Sequence, residues 1–339
     1  MSTVQARGPG RVNLIGEHTD YNGGLALPFA IDRGVTVTAE PAGGKEIHAE
    51  AHDLGETDSF LLDCPGKARG WRAFVRGMVA ELTGAGYGLR PCRLRIEGDL
   101  DQGAGLSSSA ALEAALCLAL LATAGEAEPA DRRELAKLCS RVEKAWVGAQ
   151  TGLLDQLASL CSEPGHALRI DFATLDLQPV PLDLGDWTLV TIDSGTVHEH
   201  AGSGYNERRA ECREACERLG IASLRDATIA DVERLPEPLD RRARHVITEN
   251  ERVDEMTRAL AAHDLQAVAA LLDASHASLR DDYDSSTPEV ERTIDQAGAA
   301  GARMVGGGFG GAVLALLRPG VVRPPGALAV VPGPPAALV

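Results

Sequence analysis

Residues 10–24 read GRVNLIGEHTDYNGG, and this stretch decides the fold. The apolar residues Val12, Leu14 and Ile15 precede a polar run that holds two acids, an imidazole and a phenol. Because a core strand does not carry charges at such density, the pattern predicts a buried strand that delivers its polar end to a cleft. A polar surface hairpin would explain Glu17 taken alone, but not the whole string.

The composition is that of a globular protein, with 339 residues, 44% of them apolar and 24% charged. This length allows one large or two ordinary domains. A formal net charge of −16 argues against a nucleic-acid or anionic-membrane surface. The most apolar stretch, residues 110–124, carries Glu113 and is too short to span a bilayer. The N-terminus is polar and the seven cysteines form no CxxC pair, so we expect a cytoplasmic protein. We also expect a monomer that binds neither membrane nor nucleic acid.

A second motif, GDLDQGAGLSSSAA, spans residues 98–111 and opens a helix that is apolar nearly all round. The glycines let the backbone approach a ligand closely, and the free N–H groups of the helix start make an anion site. Three serines in a row could also serve as N-caps, but one cap needs only one serine. The motif is neither a Walker A loop nor a Rossmann loop, because it has no GKS/T and no third glycine.

A third feature is the acid pair Glu143 and Asp155, within VEKAWVGAQTGLLDQ. An unbroken helix would separate these carboxylates by about 18 Å. Gly148 and Gly152 predict a break that returns Asp155 to the same cleft. Mg²⁺ is usually held by one or two carboxylates plus ATP oxygens, and a kinase uses an acid near the attacking hydroxyl. Taken alone, either acid would be read as a solvated helix residue or an N-cap.

Together the three segments resemble galactokinases, members of the GHMP family of small-molecule kinases. A further glycine motif, ARMVGGGFGGA at 302–312, and YNERR at 205–209 extend the likeness over nearly the whole chain. The resemblance implies an α+β fold with an N-terminal mixed-sheet domain, residues 1–183, and a C-terminal helical domain with a small antiparallel sheet, residues 184–339. The activity it implies is ATP-dependent phosphorylation of the anomeric hydroxyl of α-D-galactose to galactose 1-phosphate, the first committed step of galactose utilisation.

The resemblance also implies roles for individual residues. Asp155 would act as general base or electrostatic partner, and Arg11, always charged, would attract phosphate or a developing alkoxide. The implied sugar contacts are Glu17, His18, Asp20, Gly152 and Tyr205. The implied ATP contacts are Gly103, Ala104, Gly105, Leu106, Ser107, Ser108, Ser109 and Ala110, with Trp71 and Phe74 lining the adenine pocket. Mg²⁺ would be held by Ser109 and Glu143. The chain departs from the family at Asp101, Leu154 and Phe74, where proline, methionine and tyrosine are usual.

Two other functions stay open. One is a sibling kinase for N-acetylgalactosamine, arabinose or galacturonate, because the sequence does not define the pocket around C2 and C6 of the sugar. The other is a non-catalytic galactose sensor on the same fold. Such a sensor is expected to lose part of the serine loop, whereas residues 107–111 are intact here.

Periodicity predicts the remaining elements. Strands are expected at 35–40, 92–98, 167–171, 175–181, 187–193, 303–305, 312–317 and 327–331. Helices are expected at 71–82, 107–123, 131–147, 205–219, 240–261, 265–279 and 288–299. The Pro- and Gly-rich end of the chain predicts a weakly structured tail or a short terminal strand pair. We expect the 242–253 and 278–289 segments to form buried polar networks and a helix junction. His245 and His276 are expected to have hydrogen-bond partners within the protein and not to act in catalysis.

Overall fold

The structure is a computed structural model that describes residues 2–100, 105–149, 151–195 and 201–339. Within these ranges the chain forms thirteen strands in three sheets and nine α-helices, which confirms the predicted α+β class. The strands are β1 (Val4–Asn13), β2 (Leu25–Ala26), β3 (Pro28–Pro41), β4 (Glu46–Ala51), β5 (Glu56–Leu61), β6 (Cys92–Gly98), β7 (His166–Asp171), β8 (Asp176–Pro181), β9 (Thr188–Asp193), β10 (Gly301–Met304), β11 (Ala312–Leu317), β12 (Leu328–Ala329) and β13 (Ala337–Leu338).

The helices fall in two groups along the chain. The first group is α1 (Trp71–Gly84), α2 (Ser108–Ala124), α3 (Arg132–Val142) and α4 (Leu154–Cys161). The second group is α5 (Ala201–Leu219), α6 (Ile229–Val232), α7 (Leu239–Ala261), α8 (Leu265–Asp281) and α9 (Pro288–Gln296). Short 3₁₀ turns lie at Asp20–Asn22, His52–Leu54 and Leu224–Asp226, and a π-helical turn lies at Glu143–Val147.

The large sheet is mixed and has the strand order β13-β1-β3-β6-β4-β5. Only one of its pairings, β4 with β6, is parallel. The apolar faces of α1, α2, α3 and α4 cover it with a core that includes Val37, Leu94, Met78 and Leu116. Helix α2 is buried at every position from Ala110 to Leu121, as its all-round apolar sequence predicts. Its N-terminal turn is therefore held by a rigid scaffold.

The small antiparallel sheet has the order β10-β11-β9-β12 and packs against the second group of helices. All six residues of β11 are buried, which is why this strand reads as a continuous apolar run. A further core cluster joins the two halves, since Leu14 and Phe29 pack with Val253, Leu272 and Leu314. The end of β1 thus lies at the junction between the large sheet and the helical part.

The C-terminal tail crosses from the small sheet to the large one. Strand β12 pairs with β9, Pro332 forms a bridge with Ile31, and β13 pairs with β1. The Arg132 guanidinium donates to the Ala336 carbonyl at 2.7 Å and fixes this crossing. The tail is thus a pair of short strands, one of the two expected forms. The division at residue 183 stays a prediction; it falls between β8 and β9, and the last strand lies in the sheet of the first part.

Most predicted helices and strands are confirmed with small shifts at their ends. The helix expected at 131–147 is α3 followed by the π-helical turn at Glu143–Val147. The hairpin of β4 and β5 was not predicted, because at the sheet edge these strands carry polar residues on one face and few apolar ones on the other. A search of the described helices finds none with the length and apolar character that crossing a membrane requires.

Candidate active site

The polar end of β1 opens into a cavity of about 380 Å³. Every predicted sugar contact and both predicted catalytic residues border it. The lining residues are Arg11, Glu17, His18, Asp20, Gly148, Ala149, Thr151, Gly152, Leu154, Asp155, Tyr205, Asn206, Gly306, Gly307 and Gly308. The structure therefore brings together residues from four distant parts of the sequence.

Arg11 and Asp155 form a two-point ion pair at one wall of this cavity. The Arg11 Nε donates to Asp155 Oδ1 at 2.6 Å, and its Nη2 donates to Oδ2 at 2.9 Å. The Arg11 Nη1 donates to the Gly105 carbonyl at 2.8 Å, and the Ser107 hydroxyl donates to Asp155 Oδ2. A carboxylate held in this way from two sides has a fixed orientation. The pair also ties β1 to the starts of α2 and α4.

The glycine break expected between Glu143 and Asp155 is present. The π-helical turn ends at Gly148, whose φ of 89° is a left-handed conformation that favours glycine. Helix α4 begins at Leu154, so Asp155 lies in its first helical turn. A carboxylate is favoured there, because the N-terminal end of a helix is positive.

Asp20 and Gly152 both line the cavity and are in direct contact. A Cβ added to Gly152 would lie 1.6 Å from Asp20 Oδ2, so only glycine leaves room for this carboxylate. Burial raises the pKa of Asp20 from 3.8 to about 6, and the carboxylates of Asp155 and Glu17 act in the same direction. Asp20 is therefore mainly ionised at neutral pH and takes up a proton in mildly acidic solution.

Glu17 is fixed by residues from the other end of the chain. Its Oε1 accepts from the Gly306 amide at 2.8 Å and lies 3.2 Å from Arg303 Nη2. Arg303 is fully buried in β10, and its Nη1 donates to the carbonyls of Asn13 and Leu14 at 3.0 Å each. The sequence analysis missed Arg303, although an arginine inside an apolar strand was a usable signal.

Glu249 on α7 holds the backbone of the same segment. Its Oε1 accepts from the Gly16 amide at 2.9 Å and from the Ser275 hydroxyl at 2.7 Å, and its Oε2 accepts from Arg252 Nε at 2.7 Å. Burial opposes ionisation, but Arg252 and His245 together bring the pKa of Glu249 down to about 2. The negative charge is thus retained in the core, where it accepts hydrogen bonds from the turn before Glu17.

Both ring nitrogens of His245 have hydrogen-bond partners, as expected. Its Nδ1 lies 3.0 Å from the Ser278 hydroxyl and its Nε2 lies 3.1 Å from the Glu17 carbonyl. Burial lowers the pKa of His245 to about 4, so the ring is neutral. It belongs to the buried polar network predicted for the 242–253 segment.

His18 has a positive φ of 61°, which is uncommon for a residue with a side chain. Its ring centroid lies 5.4 Å from that of Tyr205 and 4.5 Å from that of Tyr283. The Nδ1 lies 2.8 Å from the Tyr21 hydroxyl, the Nε2 is buried, and the ring also interacts with the Gly307 backbone. Burial, aided by His245, lowers the pKa of His18 to about 3. The imidazole is therefore neutral.

The start of α2 adjoins the Arg11–Asp155 pair. Ser107 precedes the helix with a φ of 56°, and Ser108 is its first residue. Of the predicted ATP contacts, Gly105, Leu106, Ser107, Ser108, Ser109 and Ala110 belong to this stretch. Gly103 and Ala104, together with Asp101, lie outside the described residues. The hydroxyl and amide groups of this turn are available as anion donors beside Asp155.

Glu143, the predicted metal ligand, is buried at the start of the π-helical turn. The Thr151 hydroxyl donates to its Oε2, and Ser109 shares a side-chain hydrogen bond with it. Burial, followed by the negative charge of Asp155, raises the pKa of Glu143. Ser109 and Glu143 are therefore neighbours in a region that disfavours further negative charge.

Glu113 is a second buried acid in this region, and the sequence analysis did not assign it a role. It is fully buried in α2, and its Oε2 accepts from Gln156 Nε2 at 3.1 Å. Burial, followed by the charge of Glu143, raises the pKa of Glu113 well above its usual value. Burial and the nearby carboxylate therefore favour the protonated form of Glu113. Its signal in the sequence was a single acid in an otherwise apolar helix.

The two predicted adenine contacts lie on α1, outside the lining of the cavity. Trp71 and Phe74 are half-buried and pack on the core of the large sheet. The Trp71 indole donates to Glu56 Oε2 at 2.7 Å. Their role in binding adenine stays a prediction.

Comparison with known protein families gives three matches along the chain. The "Galactokinase galactose-binding signature" matches residues 2–41. The "GHMP kinases N terminal domain" matches residues 73–163, and "GHMP kinases C terminal" matches residues 256–322. The first match contains β1 and the polar run that follows it, and the second contains the serine-led helix and Asp155.

Similar proteins extend this likeness to the whole fold. The chain is 45% identical over 325 residues to a galactokinase of Mycobacterium bovis, covering 93% of this chain and 89% of the relative. A Thermotoga neapolitana galactokinase is 40% identical, with 94% and 90% covered. The Lactococcus lactis galactokinase solved with galactose has a TM-score of 0.91 and 34% identity, with 99% and 95% covered. Methanococcus jannaschii mevalonate kinase, at 19% identity and a TM-score of 0.69, shares the fold over 94% of this chain and 91% of its own. The predicted GHMP kinase fold is thereby confirmed, and the chain belongs to the galactokinase family of GHMP kinases.

Proposed function

We propose that this protein transfers the γ-phosphoryl group of ATP to the anomeric hydroxyl of α-D-galactose, forming galactose 1-phosphate. One observation carries the proposal: the residues of the galactose-binding signature line one cavity together with Asp155, and Asp155 accepts a hydrogen bond from Ser107, the residue that precedes α2. A hydroxyl-bearing substrate and a triphosphate would meet at this carboxylate. The polar side chains that line the cavity favour a sugar, because an analogue without the matching hydroxyls would leave those side chains without hydrogen-bond partners.

In this proposal Asp155 orients the anomeric hydroxyl and takes up its proton while the sugar oxygen bonds to the γ-phosphorus. The bond between that phosphorus and the bridging oxygen of ADP breaks as the new bond forms. Arg11 holds Asp155 by two hydrogen bonds and places its positive charge beside the developing alkoxide. Asp20, Glu17, His18 and Tyr205 position the sugar, so orientation supplies most of the rate enhancement.

We assign the magnesium site to Ser109 and Glu143. Both offer oxygen donors, which Mg²⁺ prefers, and their side chains are hydrogen-bonded neighbours. Burial and, after it, the negative charge of Asp155 raise the pKa of Glu143, and a cation bound there would favour the ionised carboxylate. Mg²⁺ in kinases usually keeps one or two protein carboxylates and takes its other ligands from substrate phosphates and water. When bound, Mg²⁺ neutralises charge on the ATP phosphates.

The proposal is tested with a panel of sugars in a coupled assay for ADP release. Galactose should give the highest kcat/KM, and N-acetylgalactosamine, arabinose and galacturonate should be poor substrates. A higher kcat/KM with one of those sugars would instead identify a sibling sugar kinase. If galactose binds by calorimetry but no sugar gives ADP above background, the protein is a sensor and not a kinase. The Asp155→Asn variant is the control for contaminating activity.

A further inference from the structure

A buried chain of polar groups leads from His18 into the helical part of the molecule. The His18 Nδ1 lies 2.8 Å from the Tyr21 hydroxyl, which lies 2.8 Å from the Tyr283 hydroxyl. The Tyr283 hydroxyl in turn lies 3.1 Å from the Cys212 sulfur. We call these four residues the hydroxyl chain. Tyr21, Tyr283 and Cys212 do not border the cavity, so the hydroxyl chain reaches it through His18.

The neutral ring of His18 can carry its proton on either nitrogen. With the proton on Nε2, His18 presents a hydrogen-bond donor to the cavity; with the proton on Nδ1, it presents an acceptor. The partner of Nδ1 decides between these two forms, and that partner is the Tyr21 hydroxyl. The direction of the hydrogen bonds along the hydroxyl chain therefore determines whether His18 offers a bound sugar a donor or an acceptor.

Tyr283 sets this direction. Its hydroxyl hydrogen has two acceptors within reach, the Tyr21 oxygen and the Cys212 sulfur. Sulfur is a weak acceptor, so the hydrogen goes to the Tyr21 oxygen. The Tyr21 hydrogen is then donated to Nδ1 of His18, and the imidazole proton resides on Nε2. Burial raises the pKa of both tyrosines well above the usual value, so both hydroxyls keep their hydrogens.

We infer that Tyr283 is a positioning residue that fixes the Nε2-protonated form of His18 and so makes His18 a hydrogen-bond donor to the substrate. The consequence for a sugar rests on the proposed function; the consequence for the His18 proton does not. Two observations agree with the inference. The Nε2 of His18 is buried, and His18 itself borders the cavity. Tyr283 is fully buried, its ring lying 4.5 Å from His18 and 4.4 Å from His245.

The first test is ¹⁵N NMR of the histidine rings in the ligand-free protein, with His18 assigned by the His18→Gln variant. The shifts of the two ring nitrogens identify the nitrogen that carries the proton. We expect the proton of His18 on Nε2 in the unmodified chain. A proton on Nδ1 would overturn the inference without the need for any Tyr283 variant.

The second test is the Tyr283→Phe variant, which keeps the ring packing and removes only the hydroxyl. The Tyr21 oxygen then becomes free to accept from Nδ1, so both forms of His18 should appear in the NMR spectrum. The KM for galactose should rise roughly three- to ten-fold, as for the loss of one hydrogen bond, while the KM for ATP changes less than about two-fold. An unchanged His18 spectrum together with an unchanged galactose KM would overturn the inference.

Tyr87→Phe is the matched control, because Tyr87 packs on the core of the large sheet and is not part of the hydroxyl chain. It should leave both readouts unchanged. If Tyr283→Phe fails to fold, Cys212→Ala removes the weak end of the chain, and the direction of the remaining bonds predicts that His18 keeps its proton on Nε2. A shift of that proton to Nδ1 would count against the inference. If galactose proves not to be the substrate, the NMR result still stands by itself.

Discussion

The two sides of the active-site cavity are stabilised in different ways. On the sugar side the acids have cationic or amide partners: Glu17 pairs with Arg303 and accepts from Gly306, and Glu249 pairs with Arg252. On the phosphate side Glu113, Glu143 and Asp155 lie together, and Arg11 pairs with Asp155. The pKa of Glu249 falls, whereas those of Glu113 and Glu143 rise; Asp20 is the exception on the sugar side, because burial raises its pKa as well.

This difference teaches what each side requires from a ligand. The sugar side is preorganised by buried charges whose hydrogen bonds hold the backbone of the binding segment, so it can select hydroxyls without rearranging. The phosphate side carries an excess of carboxyl groups close to the helix start that would receive the triphosphate. The proposed Mg²⁺ would offset this negative charge when the triphosphate binds.

Asp155 lies between the two sides, and changing it tests whether they meet at this carboxylate. Asp155→Asn keeps the shape of the side chain but cannot take up the hydroxyl proton. We expect kcat to fall on the order of 10²–10⁴-fold, with the Kd for ATP nearly unchanged. Steady-state kinetics and ATP titration measure these effects, and Asp63→Asn, an exposed position, is the control. Turnover close to that of the unmodified chain would remove Asp155 from the chemistry.

Glu143→Gln weakens the phosphate side alone. The amide keeps the hydrogen bond from Thr151 but is a poorer ligand for Mg²⁺. The Mg²⁺ concentration for half-maximal activity should rise on the order of 10- to 100-fold, with galactose binding unaffected. A magnesium titration of activity measures this, and Glu163→Gln, an exposed position, is the control. A variant with the original metal dependence would show that Glu143 is not a ligand.

Gly152→Ala disturbs the sugar side alone. The added methyl would lie 1.6 Å from Asp20 Oδ2, so the Asp20 carboxylate must move away. We expect the KM for galactose to rise about ten-fold, as for the loss of a charged hydrogen bond, and the KM for ATP to stay constant. Gly84→Ala, where nothing lies within 4 Å of the added Cβ, is the control. An unchanged galactose KM would mean that Asp20 does not contact the sugar.

The pKa of Asp20, about 6, predicts a pH dependence confined to the sugar side. The carboxylate is protonated below this value and loses its strength as an acceptor. Galactose affinity should therefore fall as the pH falls through 6, by roughly ten-fold at one pH unit below it. Calorimetric titration measures binding without turnover, and Asp20→Asn should flatten the profile. His18, with a pKa of about 3, does not titrate in this range. A flat profile in the unmodified chain would contradict the assignment.

Glu113→Gln should have the smallest effect. Burial and the nearby Glu143 favour the protonated form of this acid, and the amide oxygen of glutamine can accept the same hydrogen bond from Gln156. Activity should stay within about two-fold of the unmodified chain, since no charge is lost. Glu113→Ala, which removes the acceptor, should lower the melting temperature instead. A large loss of activity in Glu113→Gln would show that the charge or proton of this carboxyl is used.

The features that sequence could predict are local. The serine-led helix, the glycine break before Asp155 and the apolar strand β11 follow from short patterns, and the structure contains all three. The polar end of β1 was also expected at a cleft, because charge at that density is incompatible with a core strand.

The features that sequence could not predict depend on distant pairings. Arg303 contacts the carbonyl of Asn13 across 290 positions, and Glu249 contacts the Gly16 amide across 233. Local periodicity carries no information about which distant backbone groups a buried charged side chain will hydrogen-bond. The same holds for the tail, where β13 is only two residues long and its place beside β1 depends on long-range hydrogen bonds.

The anchoring of β1 by Arg303 has a consequence for biosynthesis. Asn13 leaves the ribosome 290 residues before Arg303, which at 5–20 residues per second is a delay of about 15–60 s. Throughout this interval the carbonyls that Arg303 will cover must find water or temporary partners. The segment that recognises the ligand is thus among the first parts of the polypeptide to be made and among the last to be secured.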